Sequence, residues 1–339
     1  MVKLKDLAEK TGYSVTTISR ALGGYSDVNE VTRQTIIETA RQLGYQPHAP
    51  ARQLRNQRTQ TIGLVIPAND QSFSNDFFNL LLRGIGDAAA REGYDVLISA
   101  QIPGKTEMDA YERFVGGGRV DGMIVARTRQ GDERLHYLKA LQHPFVVSGR
   151  SSPSEDSDFA YIDVDSESGI RAATEHLIAL GHRDIALLLP PPDIAYTEYR
   201  RRGYAEALAT AGILYRPEYV RHGDLLRSGG YTLANELLDE HTALTAMVCA
   251  NDLMALGVIS AAQKRGLAVG SDLSVTGFDD IPPAEYAQPA LTTVHQPVYE
   301  IGQRLLHMLV QIITRKTGPE TQTLLPASLV VRDSTGERR

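Results

Sequence analysis

The sequence lacks the features needed for disulfides or for a membrane span. Its 339 residues include one cysteine, Cys249, in the apolar run TAMVCAND, so disulfides within the chain are excluded and a buried, unreactive thiol is predicted. No apolar run approaches the roughly 18 residues needed to span a bilayer. The opening MVKLKDLAEK interleaves charged and apolar residues and has no signal-peptide pattern. We therefore expect a cytoplasmic protein.

Motifs of nucleotide-binding and hydrolytic enzymes are also missing. PGKT at 103–106 lacks the first glycine of a phosphate-binding loop, and GGGR at 116–119 precedes a predicted strand instead of following one. The histidines are dispersed, without an HExxH motif or a cysteine partner, and no G-x-S-x-G is present. We expect no metal, no cofactor and no enzymatic activity.

Charge is distributed unevenly along a chain that is long enough for two or three domains. Residues 1–58 hold 9 Lys and Arg against 5 Asp and Glu, a net charge of +4. The remainder holds 26 against 36, a net charge of -10. The N-terminal segment alone is suited to contact a polyanion, unless the imbalance is ordinary scatter in surface charge.

The first fifty residues show the periodicity of three short helices. Apolar residues recur at helical spacing, and Ser14 and Asn29 are suited to cap the second and third helices. The predicted buried positions are Leu4, Leu7, Ala8, Val15, Ile18, Leu22, Val31, Ile36, Ile37, Ala40 and Leu43. Thr16, Thr17 and Arg20 are expected to face outward, as on a helix-turn-helix recognition helix. A three-helix packing domain would show a similar pattern.

The next stretch, YQPHAPARQLRNQRTQT, places one leucine among three arginines. Pro50 is suited to the first position of a short helix ending near Asn56. In that helix Leu54 would be a minor-groove wedge flanked by Arg52 and Arg55. A plain flexible linker is the alternative.

Several motifs, in order, resemble the lac repressor family of bacterial transcription regulators. They are LKDLAEKTGYSVTTISRALGG, VNEVTRQTIIETARQLGYQPHAPARQLR, TIGLVIP, GHRDIALL, ANDLMALGVISAAQKRGLAVGSDLSVTGFDD and LTTVHQP, and they cover essentially the whole chain. The predicted DNA-binding residues are Ser14, Val15, Thr16, Thr17, Arg20, Tyr45, Arg52, Leu54 and Arg55. Val15 departs from the polar residue frequent in relatives, and Pro50 replaces the valine common in the hinge.

From Thr61 onward, strand-like runs alternate with helical stretches, which is typical of parallel sheets covered by helices. The predicted fold class is α/β, with a helix-turn-helix module (1–48), a hinge helix and linker (49–60) and a two-lobed, periplasmic-binding-protein-like core of doubly wound sheets. The resemblance implies three crossings between lobes. We assign 61–163 and 294–323 to the first lobe and 164–293 and 324–339 to the second. LTTVHQP with its following helix is expected in the first lobe and LLPASLVVRD in the second.

Polar and aromatic residues follow several predicted strands, where ligands bind in such sheets. The predicted effector-binding residues are Asn69, Ser72, Phe77, Phe78, Ser148, Arg150, Arg200, Leu225, Asn251 and Asp279. The resemblance places Arg200, Asn251 and Asp279 at effector positions and the two phenylalanines on the first-lobe wall. Each of these residues also has a structural alternative. Asp279 could cap a turn, and Arg200 could belong to the solvated run RRR. The two phenylalanines could be part of the core.

These residues predict a transcriptional regulator, foremost a repressor, that binds an inverted-repeat operator as a homodimer. The effector is expected to be a sugar or oligosaccharide. A nucleoside or sugar phosphate acting as corepressor is the alternative, because Arg200 would also accept an anion. A cytosolic α/β enzyme with a DNA-binding appendage is the remote alternative.

Overall fold

The computed structural model describes residues 2–23, 25, 27–45, 58–68, 76–154, 158–315 and 321–338. They belong to two units, Met1–Arg58 and Thr59–Arg339. The predicted hinge helix, with Arg52, Leu54 and Arg55, lies outside the described residues. Asn69 and Ser72 do so as well.

The N-terminal unit contains three helices: α1 (Leu4–Thr11), α2 (Val15–Leu22) and α3 (Glu30–Gln42). The predicted caps are present. The Ser14 hydroxyl accepts the backbone N–H of Thr17 at 3.1 Å, and the Asn29 side chain accepts that of Val31 at 2.9 Å. Each cap satisfies a donor that the helix leaves without a partner, so α2 and α3 begin where the sequence predicted.

A small apolar core holds the three helices together. Its buried residues are Leu7, Ile18, Ala21, Val28, Ile36 and Ala40. The prediction that Val15 and Val31 face inward was wrong: they are 39% and 75% exposed. Both lie in the first turn of a helix, and helical side chains lean towards the N-terminus, so they project past this small core.

The second unit begins with a first lobe built on a six-stranded sheet. The chain runs through β1 (Thr61–Pro67), α4 (Asp76–Glu92), β2 (Asp95–Gln101), α5 (Lys105–Val115), β3 (Gly122–Ala126), α6 (Glu133–Ala140), β4 (Phe145–Ser148) and β5 (Tyr161–Val164). Strands β1 and β3 are almost wholly buried, which is why they read as continuous apolar runs.

The second lobe repeats this construction. It contains α7 (Ser166–Ala179), β6 (Ile185–Leu189), α8 (Thr197–Thr210), a 3₁₀ turn (Pro217–Tyr219), β7 (Val220–His222), α9 (Arg227–Glu240), β8 (Ala246–Cys249), α10 (Asp252–Lys264), β9 (Ser274–Asp279), α11 (Pro282–Tyr286) and β10 (Thr292–His295). The chain ends with α12 (Val298–Ile313), β11 (Gln322–Leu325) and β12 (Ser328–Val330).

The two sheets have the orders β11-β5-β4-β3-β1-β2 and β12-β10-β9-β8-β6-β7. All strand pairs are parallel except β10–β12. The predicted α/β class with two doubly wound lobes is confirmed. Both sheets reverse strand order beside their first strand, and such switch points place ligands past the carboxyl ends of the strands.

Two predicted lobe assignments were wrong. Strand β10, within LTTVHQP, pairs with β9 in the second sheet, and only α12 returns to the first lobe. LLPASLVVRD is divided: β11 pairs with β5 in the first sheet, and β12 pairs with β10 in the second. The predicted boundary at 323/324 therefore falls inside β11. Short apolar runs show that a strand forms but not which edge it joins.

Within the described ranges, no helix is both long and apolar enough to cross a membrane.

Candidate functional site

A cavity lies where the carboxyl ends of the strands of both lobes meet. Its empty space is about 780 Å³, including the part open to solvent, within the roughly 300–1,000 Å³ typical of ligand pockets. The first lobe lines it with Phe77, Phe78, Arg127, Ser148, Gly149, Ile162, Asp163 and Val164. From Ser166 onward the lining continues with Tyr196, Arg200, Leu225, Asn251, Phe278, Asp279, Gln296 and Ile301.

The structure brings seven of the ten predicted effector residues to this cavity. They are Phe77, Phe78, Ser148, Arg200, Leu225, Asn251 and Asp279. Arg150 is the exception among the described residues. Its Nε donates to Asp163 Oδ2 at 2.8 Å, and its guanidinium lies 4.1 Å from the centre of the Tyr199 ring. Arg150 therefore holds Asp163, which lines the cavity, instead of lining it itself.

Arg200 is held as a cation between aromatic rings. Its Cζ lies 4.3 Å from the centre of the Tyr196 ring and 4.0 Å from that of Phe278. Its Nη1 donates to the carbonyl of Ala250, while its buried Nε has no hydrogen-bond partner in the described structure. Arg200 is 5% exposed and so does not belong to the solvated part of the run RRR.

Asn251 and Leu225 are linked to each other. The Asn251 side chain caps α10 by accepting the backbone N–H of Met254, and it donates to the Leu225 carbonyl at 3.0 Å. Leu225 is buried with a φ of 67°, a conformation that non-glycine residues seldom adopt. Asn251 therefore fixes the loop that carries Leu225 to the cavity and keeps one amide N–H for a ligand.

Asp279 is the carboxylate at the end of β9. It is buried with a φ of 120°, and Gln296 Nε2 donates to its Oδ1 at 2.5 Å. Burial raises its pKa to about 7, although Arg200, the Gln296 hydrogen bond and Arg127 act to lower it. Strained backbone of this kind is concentrated at functional sites.

The two acidic neighbours of Asp279 have structural partners. Asp280 binds His295 and Arg332 at 2.9 and 2.7 Å. Asp252 accepts the Thr293 hydroxyl and the backbone N–H of Ile281, and burial followed by the nearby Asp279 raises its pKa well above the ordinary value. Neither lines the cavity.

Sequence reasoning missed several cavity residues. The polar ones are Arg127, Asp163, Ser166, Tyr196 and Gln296. Arg127 and Gln296 directly follow β3 and β10, so strand-end position was a signal that could have found them. Tyr196 lies in the loop before α8 and has no such signal. Ser166 Oγ is buried without a hydrogen-bond partner in the described structure.

In the N-terminal unit, the predicted DNA-contact residues from Ser14 to Arg20 lie on or next to α2, whereas Tyr45 follows α3. Val15, Thr16 and Arg20 are exposed, and Thr17 is partly buried beside the capping hydroxyl of Ser14. Arg20 Nη2 pairs with Asp27 at 2.5 Å, and its guanidinium lies 4.7 Å from the centre of the Tyr25 ring. Tyr45 is half-buried against the small core. An exposed arginine near the end of a short capped helix is suited to reach a base edge.

No group of three or more His, Cys, Asp or Glu side chains in the described ranges is arranged to hold a metal ion.

A helix-turn-helix unit followed by a two-lobed α/β unit with a cavity between its lobes defines a ligand-responsive DNA-binding regulator. Residues 3–48 match the family described as bacterial regulatory proteins, lacI family, and residues 174–335 match the periplasmic binding protein-like domain. The chain belongs to the lacI family of bacterial regulatory proteins. The predicted family is confirmed, and the protein is a DNA-binding transcriptional regulator.

The chain is similar to named relatives over nearly its full length. The transcriptional regulator AglR of Rhizobium meliloti (strain 1021) is 34% identical over 99% of this chain and 94% of its own. CelR of Thermobifida fusca is 32% identical over 98% and 97%. These relatives are transcriptional regulators, not enzymes.

Two solved structures of regulators also resemble the chain. The CelR–cellobiose complex is 31% identical, covers 98% of this chain and 100% of its own, and has a TM-score of 0.77. The lac repressor dimer bound to operator and the anti-inducer ONPF is 30% identical, with 99% of both chains covered and a TM-score of 0.86.

Proposed function

We propose that the protein is a homodimeric transcriptional repressor whose affinity for an inverted-repeat operator is controlled by a neutral sugar bound between its lobes. The proposal depends on one observation: among the described residues, the cavity contains buried polar atoms that have no hydrogen-bond partner and that lie near aromatic rings. The Arg200 Nε and the Ser166 hydroxyl have no hydrogen-bond partner in the described part of the chain. A buried polar group without a partner costs free energy, and a ligand that supplies the partner recovers it.

The chemistry of the cavity favours a hydroxyl-rich ring. Arg200, Ser166 and the Asn251 amide supply hydrogen-bond donors, and Asp279 supplies an acceptor. Phe77 and Phe78 form an edge-to-face pair with ring centres 5.6 Å apart on the first-lobe side. Donors, acceptors and an apolar face together suit a sugar. The complex of the similar CelR with cellobiose supports the same class.

The charges lining the cavity favour a neutral ligand over a phosphate. Two arginines, Arg127 and Arg200, are matched by two aspartates, Asp163 and Asp279. The Arg200 guanidinium is stacked on two rings and already donates to the Ala250 carbonyl. A phosphate at Arg200 would lie near the Asp279 carboxyl, and like charges in a buried site repel strongly.

Exposed apolar residues support the dimer. Ile98 on β2, an edge strand of the first sheet, is 43% exposed, and Ile102 just beyond it is 67% exposed. Tyr286 on the second lobe is 78% exposed. Apolar side chains along an open sheet edge are commonly covered by a partner. The lac repressor, which is similar to this chain, binds operator as a dimer.

A dimer would explain how a small DNA-binding unit achieves sequence specificity. Two copies of α2, each with Thr16 and Arg20 exposed, would enter successive major grooves about 34–36 Å apart. Ser14 and Tyr45 would contact phosphates and fix the register, while base edges supply the sequence preference. Such a regulator acts in the cytoplasm, where its operator lies.

The test is fluorescence anisotropy of the purified protein with the DNA upstream of its own gene, at fixed salt. Nanomolar binding released by one sugar supports the proposal and identifies the inducer. Binding that requires a nucleoside or a sugar phosphate would replace it with the corepressor alternative. Equal, weak binding to the upstream DNA and to random DNA, unchanged by any compound, would contradict it. Binding at 50 and 200 mM salt separates phosphate contacts from base contacts.

A further inference from the structure

A buried group of four charged side chains lies in the first lobe, outside the cavity. This ionic cluster consists of Glu107, Arg129, Asp132 and Arg134. The side chains of Glu107, Asp132 and Arg134 are at most 2% exposed, and that of Arg129 is 19% exposed. Two positive and two negative charges balance one another.

The ionic cluster is closely hydrogen-bonded. Arg129 donates to both Glu107 carboxylate oxygens at 2.7 and 3.3 Å, and Arg134 Nη1 donates to Glu107 at 3.1 Å. Asp132 caps α6 by accepting the backbone N–H of Arg134, and it receives Nε and Nη2 of the same arginine at 2.8 and 2.6 Å. Buried ion pairs contribute little net stability compared with well-packed apolar residues. The ionic cluster therefore calls for a role other than stability.

The ionic cluster holds the backbone at the end of β3. Besides its bonds to carboxylates, Arg134 donates to the carbonyls of Ala126 and Arg127 at 3.3 and 2.9 Å. Arg127 has a φ of 55°, in the left-handed region that side chains other than glycine seldom adopt. Donors on its carbonyl and on the preceding one keep Arg127 in this conformation.

The same loop also reaches the second lobe. The backbone N–H of Ala195 donates to the Thr128 carbonyl at 2.9 Å, and that of Gln130 donates to the Asp193 carbonyl at 2.8 Å. The Thr128 hydroxyl donates to the Arg150 carbonyl at 2.7 Å. The backbone that follows Arg127 is therefore held by both lobes.

The side chain presented by this fixed loop lines the cavity. The Arg127 guanidinium lies 5.1 Å from the centre of the Phe78 ring, and it contributes to lowering the pKa of Asp279. It makes no hydrogen bond within the described residues. A guanidinium stacked on a ring keeps its N–H edge available to a ligand.

We propose that Arg127 is a specificity-determining residue of the effector site, and that the ionic cluster is the device that positions it. The proposal rests on the proposed function, since it assigns a first-lobe partner for hydroxyls of the same sugar. Arg127 donates from the Phe78 side of the cavity, opposite the Arg200 and Asp279 side. The cluster touches no ligand and acts only through the backbone of Arg127.

The first test measures binding of cellobiose, maltose, sucrose and trehalose to the full-length protein by isothermal titration calorimetry. Arg127→Ala is expected to weaken the sugar that binds the wild type by about 10- to 100-fold, because it loses charge-assisted hydrogen bonds. Arg127→Lys should restore only part of this affinity, since a lysine does not reproduce the planar fork. Affinity unchanged in Arg127→Ala would overturn the proposal. If no sugar binds the wild type, the proposed function fails instead.

The second test asks whether the ionic cluster acts through Arg127. Arg129→Gln removes the least buried member and leaves Arg134 to neutralise Glu107, so the protein should fold. It is expected to weaken sugar binding about 3- to 10-fold in the wild type and to have no further effect in Arg127→Ala. Equal losses in both backgrounds would show that the cluster acts independently of Arg127, and an unchanged affinity in Arg129→Gln alone would refute the positioning role.

A matched control separates positioning from general destabilisation. Arg171→Gln breaks an exposed ion pair with Glu206, 3.1 Å long, between α7 and α8 of the second lobe. Its sugar affinity should equal that of the wild type. Operator binding without sugar should be the same for all variants, and thermal unfolding would identify any that fold poorly.

Discussion

Replacing Asp279 with asparagine should change how the stability of the protein depends on pH. Burial raises the pKa of this carboxyl from 3.8 to about 7, so the folded protein holds the proton more tightly than the unfolded chain. The free energy of unfolding therefore decreases as pH rises from about 4 to about 7. The difference between the two pKa values corresponds to about 4 kcal/mol. Arg200, Gln296 and Arg127 already reduce this loss, because they favour the ionised form.

Asparagine keeps the acceptor for Gln296 but cannot ionise. We therefore expect wild type and Asp279→Asn to differ little in thermal midpoint at pH 5. At pH 8 the variant should be more stable by about 2–4 kcal/mol, or several degrees in midpoint. The assay is differential scanning calorimetry of the sugar-free protein at pH 5, 6, 7 and 8. Burial raises the pKa of Asp252 in both proteins, but the additional increase caused by Asp279 is lost in the variant, so the comparison reports on Asp279 together with its effect on Asp252.

Asp239→Asn is the matched control. Asp239 is exposed, and its hydrogen-bonded ion pair with Arg265 lowers its pKa, so it stays ionised throughout this pH range. This control should shift the midpoint equally at every pH. If Asp279→Asn behaved in the same way, the carboxyl would be ionised already at pH 5. The argument that burial dominates its environment would then be refuted.

Three further predictions concern the pH dependence of sugar binding, the DNA contacts and the packing of the first lobe. Sugar affinity should fall as pH decreases below about 7, by up to about tenfold for each pH unit, because the ionised Asp279 is the better acceptor. A flat profile in calorimetry would contradict this. Arg20→Ala should reduce the free energy of operator binding by about 1–3 kcal/mol and relax the preference at one base pair, whereas Arg58→Ala should weaken binding to operator and random DNA alike. Equal losses of affinity for both variants on both DNAs, measured by anisotropy, would refute this division between base and phosphate contacts. Gly84→Ala should destabilise the protein, because the added Cβ would lie 2.1 Å from the Tyr299 carbonyl oxygen. On the same helix, the Cβ of Gly86→Ala would meet nothing within 4 Å, so this variant should be more stable than the wild type by about 0.5–1 kcal/mol. Midpoints of thermal unfolding measured by calorimetry test both variants.

The fold was predictable where one physical pattern determined it. Apolar spacing identified Leu7, Ile18 and Ile36 as the core of the N-terminal unit, and capping chemistry gave the starts of α2 and α3. The same spacing failed at Val15 and Val31, because periodicity does not show where a small core ends. It also could not assign β10 and β11 to a lobe, since strand pairing depends on tertiary contacts.

The candidate site was predictable in position more than in detail. Strand-end reasoning placed Ser148, Asn251 and Asp279 at one cavity, but it could not give side-chain direction. Arg150 and Asp163 illustrate this limit: the arginine was predicted and the aspartate was not, yet the aspartate lines the cavity and the arginine supports it. The ionic cluster was not predicted, because Glu107 and Arg134 are 27 positions apart and helical periodicity treats charges as surface residues.

The distribution of cavity residues between the two lobes also determines how much an effector can shift the protein from one conformational state to another. An effector that moves a two-state protein from 1:99 to 99:1 must prefer one state by about 5.5 kcal/mol. Hydrogen bonds to charged groups contribute about 1.5–3 kcal/mol each, so two to four of them suffice. This preference arises only if the bonds form together in one lobe arrangement. A sugar held by Arg127 from the first lobe and by Arg200 and Asp279 from the second meets that condition. A ligand bound to one lobe alone would bind both states equally and switch nothing.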